Sequence, residues 1–140
     1  VCSSDLSIAH AVSGKLHISH GRSNAIILPY VIEYNANLNK SAFSTEYDIA
    51  AKKYQRLAKL LKLHAPNVHI GVNNLIKSII ELKKTLTIPA TFKEQGADMN
   101  LAQASREEIV NAALNDICTT ANPREASRED LLKLLDKVLG

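Results

Sequence analysis

Hydrophobic residues recur three or four positions apart along most of the chain, with charged residues between them. Apolar residues at this spacing share one face of an α-helix, whereas a half-buried strand would alternate. Four such stripes can be traced, and they predict four amphipathic helices. They comprise Ala50, Tyr54, Leu57, Ala58 and Leu61; Val72, Leu75, Ile76, Ile79, Leu82 and Leu86; Ile109, Ala113, Leu114 and Ile117; and Leu131, Leu134, Leu135 and Val138.

Residues that favour helix ends lie between these stripes. Ser105 and Glu108, like Ser127 and Asp130, have the serine-to-acid spacing of a capping box. This spacing predicts helices that begin just after Ser105 and just after Ser127. Proline and glycine, which interrupt helices, fall between the stripes. They are Pro66, Gly71, Pro89, Gly96 and Pro123.

Residues 25–32 form an apolar, β-branched segment with Pro29 in its middle. A buried strand is one interpretation, but proline would remove a hydrogen-bond donor from a central strand. We favour a buried helix that tolerates a kink at Pro29. The whole pattern predicts an all-α bundle of six or seven helices.

Composition narrows the class of protein. A chain of 140 residues with 46% hydrophobic residues suits one globular domain with a single core. The formal charge is only +3, and the basic residues are mixed with acidic ones, which favours solvated helix faces over a nucleic-acid site. No apolar stretch is long enough to cross a membrane. We therefore expect neither a nucleic-acid nor a membrane partner.

The first six residues, 1–6, are predicted to be non-native. The only methionine is Met99, and residues 1–6 back-translate to a sequence that resembles the end of a common sequencing adapter. The alternative is a natural proteolytic end or an end chosen for expression. We expect the domain to occupy residues 7–140.

Three of the five histidines lie close together in sequence, at His10, His17 and His20. Imidazole is a common ligand of divalent transition metals, and Gly21 could allow a tight turn that points His20 into a cleft. The residues alone leave two interpretations open: a metal site, or histidines that are surface-exposed or satisfied in the core.

Two separated segments resemble the iron-containing alcohol dehydrogenases. The first runs from Ala9 and His10 through His20 and Gly21 to Ala36, and it is similar to the C-terminal metal-binding signature of that family. The second, residues 116–124, resembles the family's Cys-x-x-x-Asn-Pro-Arg turn before the last helix. The similarity extends over about residues 7–140 and implies the family's C-terminal helical bundle domain.

The resemblance implies roles for three residues. His20 matches a metal ligand, and His10 matches a histidine of the catalytic cleft that relays a proton. Cys118 matches a residue that borders the cleft, where it would contact the cofactor; taken alone it would be interpreted as a small buried hydrophobe. Leu6 stands where the family has another ligand, and the family's remaining Asp and His ligands would lie upstream. Asn122, Pro123 and Arg124 are expected to be structural.

The resemblance also implies a reaction and its cofactors. In the family an iron or zinc ion acts as a Lewis acid on a small-molecule alcohol, whose hydride passes to NAD or NADP to give the aldehyde. The five glycines form no phosphate-binding cluster, so the dinucleotide-binding domain is expected to lie outside this chain. We expect a cytoplasmic, homo-oligomeric parent enzyme and an inactive isolated fragment. The alternative is a stand-alone helical interaction module without catalysis.

Overall fold

The structure is a computed structural model that describes residues 4–38, 49–116 and 122–140, with side chains from Ser7 onwards. The described ranges contain seven α-helices and no strand. The helices are α1 (Ser4–Leu16), α2 (His20–Ala36), α3 (Ile49–Leu60), α4 (Val68–Thr85), α5 (Met99–Ala104), α6 (Arg106–Asn115) and α7 (Arg128–Leu139). The predicted all-α bundle is confirmed.

The segment with the proline is helical, so the strand interpretation is wrong. Pro29 lies inside α2, and side chains on several sides of this helix are buried, among them Ile26, Ile27, Val31 and Ile32. A helix that is apolar on most sides is stable only when other elements surround it. Helix α2 is therefore the centre of the bundle.

Two apolar clusters lie on opposite sides of α2. The larger cluster joins α1, α2, α6 and α7 and includes Phe92, which is fully buried. A smaller cluster joins Ile32 and Ala36 of α2 to α3 and α4 through Ala51, Val68 and Val72. Aliphatic side chains fill both clusters, as expected for a chain without tryptophan.

The predicted stripes are buried to different extents. In α6, Ile109 and Ala113 of the predicted stripe are buried. In α7, all four positions of the predicted stripe are buried. Ile117 lies outside the described residues. Four leucines predicted to be in the core are instead exposed to solvent. They are Leu57, Leu61, Leu82 and Leu86.

One lysine contradicts the expectation of solvated basic faces. Lys83 is only 6% exposed, and its Nζ donates a hydrogen bond to the Ile26 carbonyl of α2 at 3.3 Å. Burial of an ammonium group is energetically costly unless a hydrogen-bond acceptor is present, and the Ile26 carbonyl is such an acceptor.

The two predicted capping boxes have different outcomes. The Ser127 hydroxyl accepts from the Asp130 backbone N–H, and the Asp130 carboxylate accepts from the Ser127 N–H, so this box is complete. Helix α6 begins after Ser105 as predicted, but the Ser105 side chain makes no capping hydrogen bond. Ser105 also ends α5 at φ −92° and ψ 1°, whereas a capping side chain needs an extended backbone.

Helices α3 and α4 approach closely at Gly71. A Cβ atom there would lie 2.8 Å from Gln55 Cγ, 3.1 Å from Ala65 Cβ and 3.2 Å from the Gln55 Cα. At Gly14, which is exposed in α1, an added Cβ would meet nothing within 4 Å. Of these two glycines, only Gly71 is required by packing.

Alanine substitution at these two glycines should have opposite effects. We expect Gly71→Ala to lower the free energy of unfolding by about 1–3 kcal/mol because the helices must separate. The matched control Gly14→Ala should raise it by about 0.5–1 kcal/mol, since alanine has the higher helix propensity. Urea denaturation measures both, and equal effects at the two sites would contradict the close contact at Gly71.

The two serines that precede α6 and α7, Ser105 and Ser127, give a second test. Ser127→Ala should lower the free energy of unfolding by about 1 kcal/mol, because α7 loses its cap. Ser105→Ala is the matched control and should cost less, since no capping bond is lost there. A larger loss at Ser105 than at Ser127, measured by thermal unfolding, would contradict this assignment.

Candidate functional site

The site lies where α1 turns into α2. Residues 17–19 join the two helices, and His17 takes the left-handed conformation with φ 53°. The predicted role of Gly21 is wrong, because Gly21 lies inside α2, has no positive φ and has open space beside its Cα. The chain therefore turns at His17, three residues before the helix that begins with His20.

This turn places the imidazole rings of His10 and His20 against each other. Their centroids are 4.7 Å apart and their planes differ by 19°, so the rings are stacked. The two histidines are close in sequence, and the structure places their rings in contact across α1 and α2. Their chemical roles stay predictions.

A carboxylate orients His10. The His10 Nδ1 lies 2.9 Å from Asp116 Oδ2, and the two side chains are 49% and 19% exposed. Because a carboxylate only accepts hydrogen bonds, it favours a proton on Nδ1 and leaves Nε2 of the neutral ring able to accept one. Asp116 had no role in the sequence interpretation, although it begins the second motif. It is the site residue that sequence reasoning missed.

His20 is paired with Asn24, one helical turn further on. The Asn24 Nδ2 lies 3.0 Å from His20 Nε2. The Oδ1 of Asn24 is buried and has no hydrogen-bond partner among the described residues. Because an amide N–H only donates, His20 Nε2 accepts this hydrogen bond, and a cation bound by that nitrogen would have to displace the Asn24 amide.

These residues do not complete a metal site. Within the described ranges, no three His, Cys, Asp or Glu side chains are close enough to hold a metal ion together. A catalytic metal normally has about three protein ligands and one open position. His20 can supply one ligand, and the others would have to come from elsewhere. Cys118, which is predicted to contact the cofactor, lies outside the described residues.

The second motif packs against the far end of α2. The Asn35 and Asn122 amides form a reciprocal pair, with Nδ2 to Oδ1 distances of 3.1 and 2.8 Å. The Arg124 guanidinium lies over the Tyr34 ring at 4.0 Å and donates to the Tyr34 carbonyl at 2.9 Å. The two motifs recognised in the sequence are therefore in direct contact.

The Tyr34 hydroxyl is held in the same cluster. It donates to the Glu125 carbonyl at 2.9 Å and to Asp130 Oδ2 at 3.2 Å. Burial, which disfavours the charged phenolate, raises the pKa of Tyr34 to about 12; Asp130 adds to this rise and Arg124 opposes it. Tyr34 therefore connects α2, the second motif and the capping box of α7.

No helix in the described ranges is long and apolar enough to cross a bilayer.

An all-helical domain with a histidine pair at one end of its central helix, and an Asn-Pro-Arg turn at the other, is the class of domain that the two motifs indicated. The profile of the Fe-containing alcohol dehydrogenase family, C-terminal part, matches residues 5–139. The chain belongs to this family.

Individual relatives of this chain are named as alcohol dehydrogenases. An aldehyde-alcohol dehydrogenase of Streptococcus pneumoniae serotype 2 is 38% identical over 121 residues, which is 84% of this chain and 14% of that protein. An NADPH-dependent butanol dehydrogenase of Clostridium saccharobutylicum is 32% identical over 132 residues, which is 94% of this chain and 31% of that protein. The chain thus spans a third or less of these relatives.

A solved structure shows the same fold. The crystal structure of a 1,3-propanediol oxidoreductase superposes with a TM-score of 0.80 and 20% sequence identity, covering 98% of this chain and 32% of that one.

The raised pKa of Tyr34 predicts a change in stability at alkaline pH. An unfolded tyrosine ionises near 10.0, whereas the folded one resists until about 12. Its contribution to stability is complete below pH 10 and is lost as the pH rises towards 12. Tyr34→Phe should therefore be less stable than the wild type at neutral pH, by about 1 kcal/mol for the lost hydrogen bonds, and should lose less stability between pH 10 and 12.

Denaturation at a series of pH values measures this difference. Tyrosinate absorbance gives an independent reading, since the last of the four tyrosines to ionise in the wild type should be missing from the Tyr34→Phe titration. Ionisation of all four tyrosines of the folded protein together near pH 10 would contradict the assignment.

Proposed function

We propose that this chain is the helical C-terminal part of a metal-dependent, NAD- or NADP-linked alcohol dehydrogenase. The parent enzyme would interconvert a primary alcohol and its aldehyde by hydride transfer. The stacked pair of His10 and His20 carries the proposal, because it supplies a metal-ligating group and a proton-transfer group within one ring spacing. Membership of the family, and relatives named as alcohol dehydrogenases, support the reaction class.

In this proposal the two histidines have different tasks. His20 is one imidazole ligand of an iron or zinc ion whose other ligands lie outside the described residues. His10 transfers the proton that accompanies alcohol oxidation, and the carboxylate of Asp116 keeps its ring in position. Asp116 stands two residues before Cys118, which is proposed to border the same cleft on the cofactor side.

The remaining parts of the site are proposed to come from another part of the parent protein. The nicotinamide nucleotide needs a phosphate-binding element, and the described residues contain helices and loops but no strand, and hence no βαβ unit. The 140-residue chain alone should therefore neither oxidise an alcohol nor retain one equivalent of metal. We further propose that the parent enzyme is cytoplasmic and homo-oligomeric, with a small alcohol or aldehyde as its only substrate partner.

The test is made on the parent enzyme, expressed from the complete coding sequence of its source gene. The purified protein should reduce NAD or NADP with a primary alcohol. His20→Ala should lower both metal content and kcat by at least about a hundredfold, because a lost ligand weakens the metal and its chemistry together. His64→Ala, at an exposed histidine in the turn before α4, is the matched control and should leave both unchanged.

His10→Phe separates the second role. It should keep the metal but lower kcat by about a hundredfold or more, as expected for loss of a proton-transfer group. Metal analysis and steady-state kinetics distinguish the two variants. A parent without a nucleotide-binding part, or His20→Ala with normal metal content and activity, would instead support a helical interaction module without catalysis.

A further inference from the structure

A cavity lies beside α2 at the edge of the larger apolar cluster, against which its lining residues Tyr30 and Ile88 pack. It occupies about 570 Å³ between α2, α4 and the segment 86–96. Its wall is largely apolar, with Pro29, Ile76, Ile80, Ile88 and Pro89 among the lining residues. A cavity of this size and lining suits a small apolar molecule.

Hydrogen bonds join the segment 86–96 to α2. The Tyr30 hydroxyl donates to the Ala90 carbonyl at 3.2 Å, and Arg22 Nη2 donates to the Thr87 carbonyl at 2.8 Å. Within the segment, the Ala90 N–H donates to the Glu94 carboxylate at 2.9 Å. These bonds set the position of one cavity wall relative to α2.

Lys83 is the one buried amine on this wall in the described ranges. Its ammonium carries three N–H donors, and the described residues supply one acceptor, the Ile26 carbonyl at 3.3 Å. Burial lowers the pKa of Lys83, although the charge of Glu94 opposes the change. Lys84 also lines the cavity but is exposed to solvent. The two adjacent lysines thus differ mainly in burial.

The charges around the cavity favour a neutral ligand. Glu33 and Glu94 line it together with Lys83 and Lys84, so two carboxylates are balanced by two amines and the lining has no net charge to attract an ion. A neutral carbonyl compound with an apolar tail would meet the isoleucine and proline wall while its reactive end faces the amine. A lysine amine in an apolar wall is a nucleophile towards such a compound once it has lost its proton.

We propose that Lys83 is a covalent binding site for short aliphatic aldehydes, which enter this cavity and form an imine with its Nζ. The ammonium first loses a proton, to Glu94 or to solvent. The amine lone pair then forms a bond to the carbonyl carbon as the C=O π bond breaks, and one amine proton passes to the carbonyl oxygen, which becomes a hydroxyl group. The C–O bond then breaks, and the hydroxyl leaves as water with the second amine proton, which leaves the C=N bond. No oxidant, metal or nicotinamide is needed.

This site is separate from the histidine pair. Pro29 follows His20 by nine residues in the same helix, which places the cavity about 14 Å away along the axis of α2. Its occupation can therefore be measured without catalytic activity, in the chain itself or in the parent enzyme.

The experiment traps the imine in the wild-type protein. The protein is incubated with acetaldehyde, propanal, butanal or hexanal and sodium cyanoborohydride, and alkylated lysines are located by peptide mass spectrometry. We expect Lys83 to be labelled several-fold faster than Lys84. The ratio of Lys83 to Lys84 labelling should also rise from acetaldehyde to butanal, because the added methylenes contact the apolar wall.

Two results would overturn the proposal. One is labelling of Lys83 at or below the rate of Lys84 with every aldehyde. The other is a ratio that does not change with chain length, which would show that the cavity is not entered. Lys83→Arg, which keeps a cation near Ile26, should abolish the fast labelling, whereas the matched Lys84→Arg should leave it intact. Since the wild-type comparison is made within one protein, failure of a variant to fold leaves the test valid.

Discussion

Burial of α2 is the constraint on which the other features depend. An apolar helix that is enclosed on most sides needs partners around it, and here α1, α6 and α7 cover one side while α3 and α4 cover the other. The histidine pair lies at the N-terminal end of this helix, the asparagine pair lies at its C-terminal end, and the lysine cavity lies between them. All three keep their geometry because the same packed helix carries them.

Polar groups near this helix are tied to specific partners. The Asn35–Asn122 pair and the Tyr34–Arg124 contact join segments that are almost ninety residues apart in sequence. Buried amides and hydroxyls are costly when unpaired, so such pairs allow one arrangement of the segment before α7 and disfavour others.

Features of the fold could be predicted from the sequence where they depend only on residues nearby in the chain. The start of α7 follows from Ser127 and Asp130 alone, because both capping bonds lie within four residues. The same spacing at Ser105 failed as a cap, since α5 runs directly into α6 and leaves no extended residue between them. Leu57 and Leu82 have helical spacing typical of a core, yet whether they are buried depends on neighbours that no local pattern encodes.

The sequence by itself determined the helical class, the starts of α6 and α7, and the family. Periodicity and capping depend on residues a few positions apart, and the family was recognised from two short motifs. Only the tertiary structure decided that Asp116 orients His10 and that Lys83 is buried beside a cavity. These facts depend on which helices meet, and such contacts join residues some fifty to a hundred positions apart, beyond the range of any local pattern.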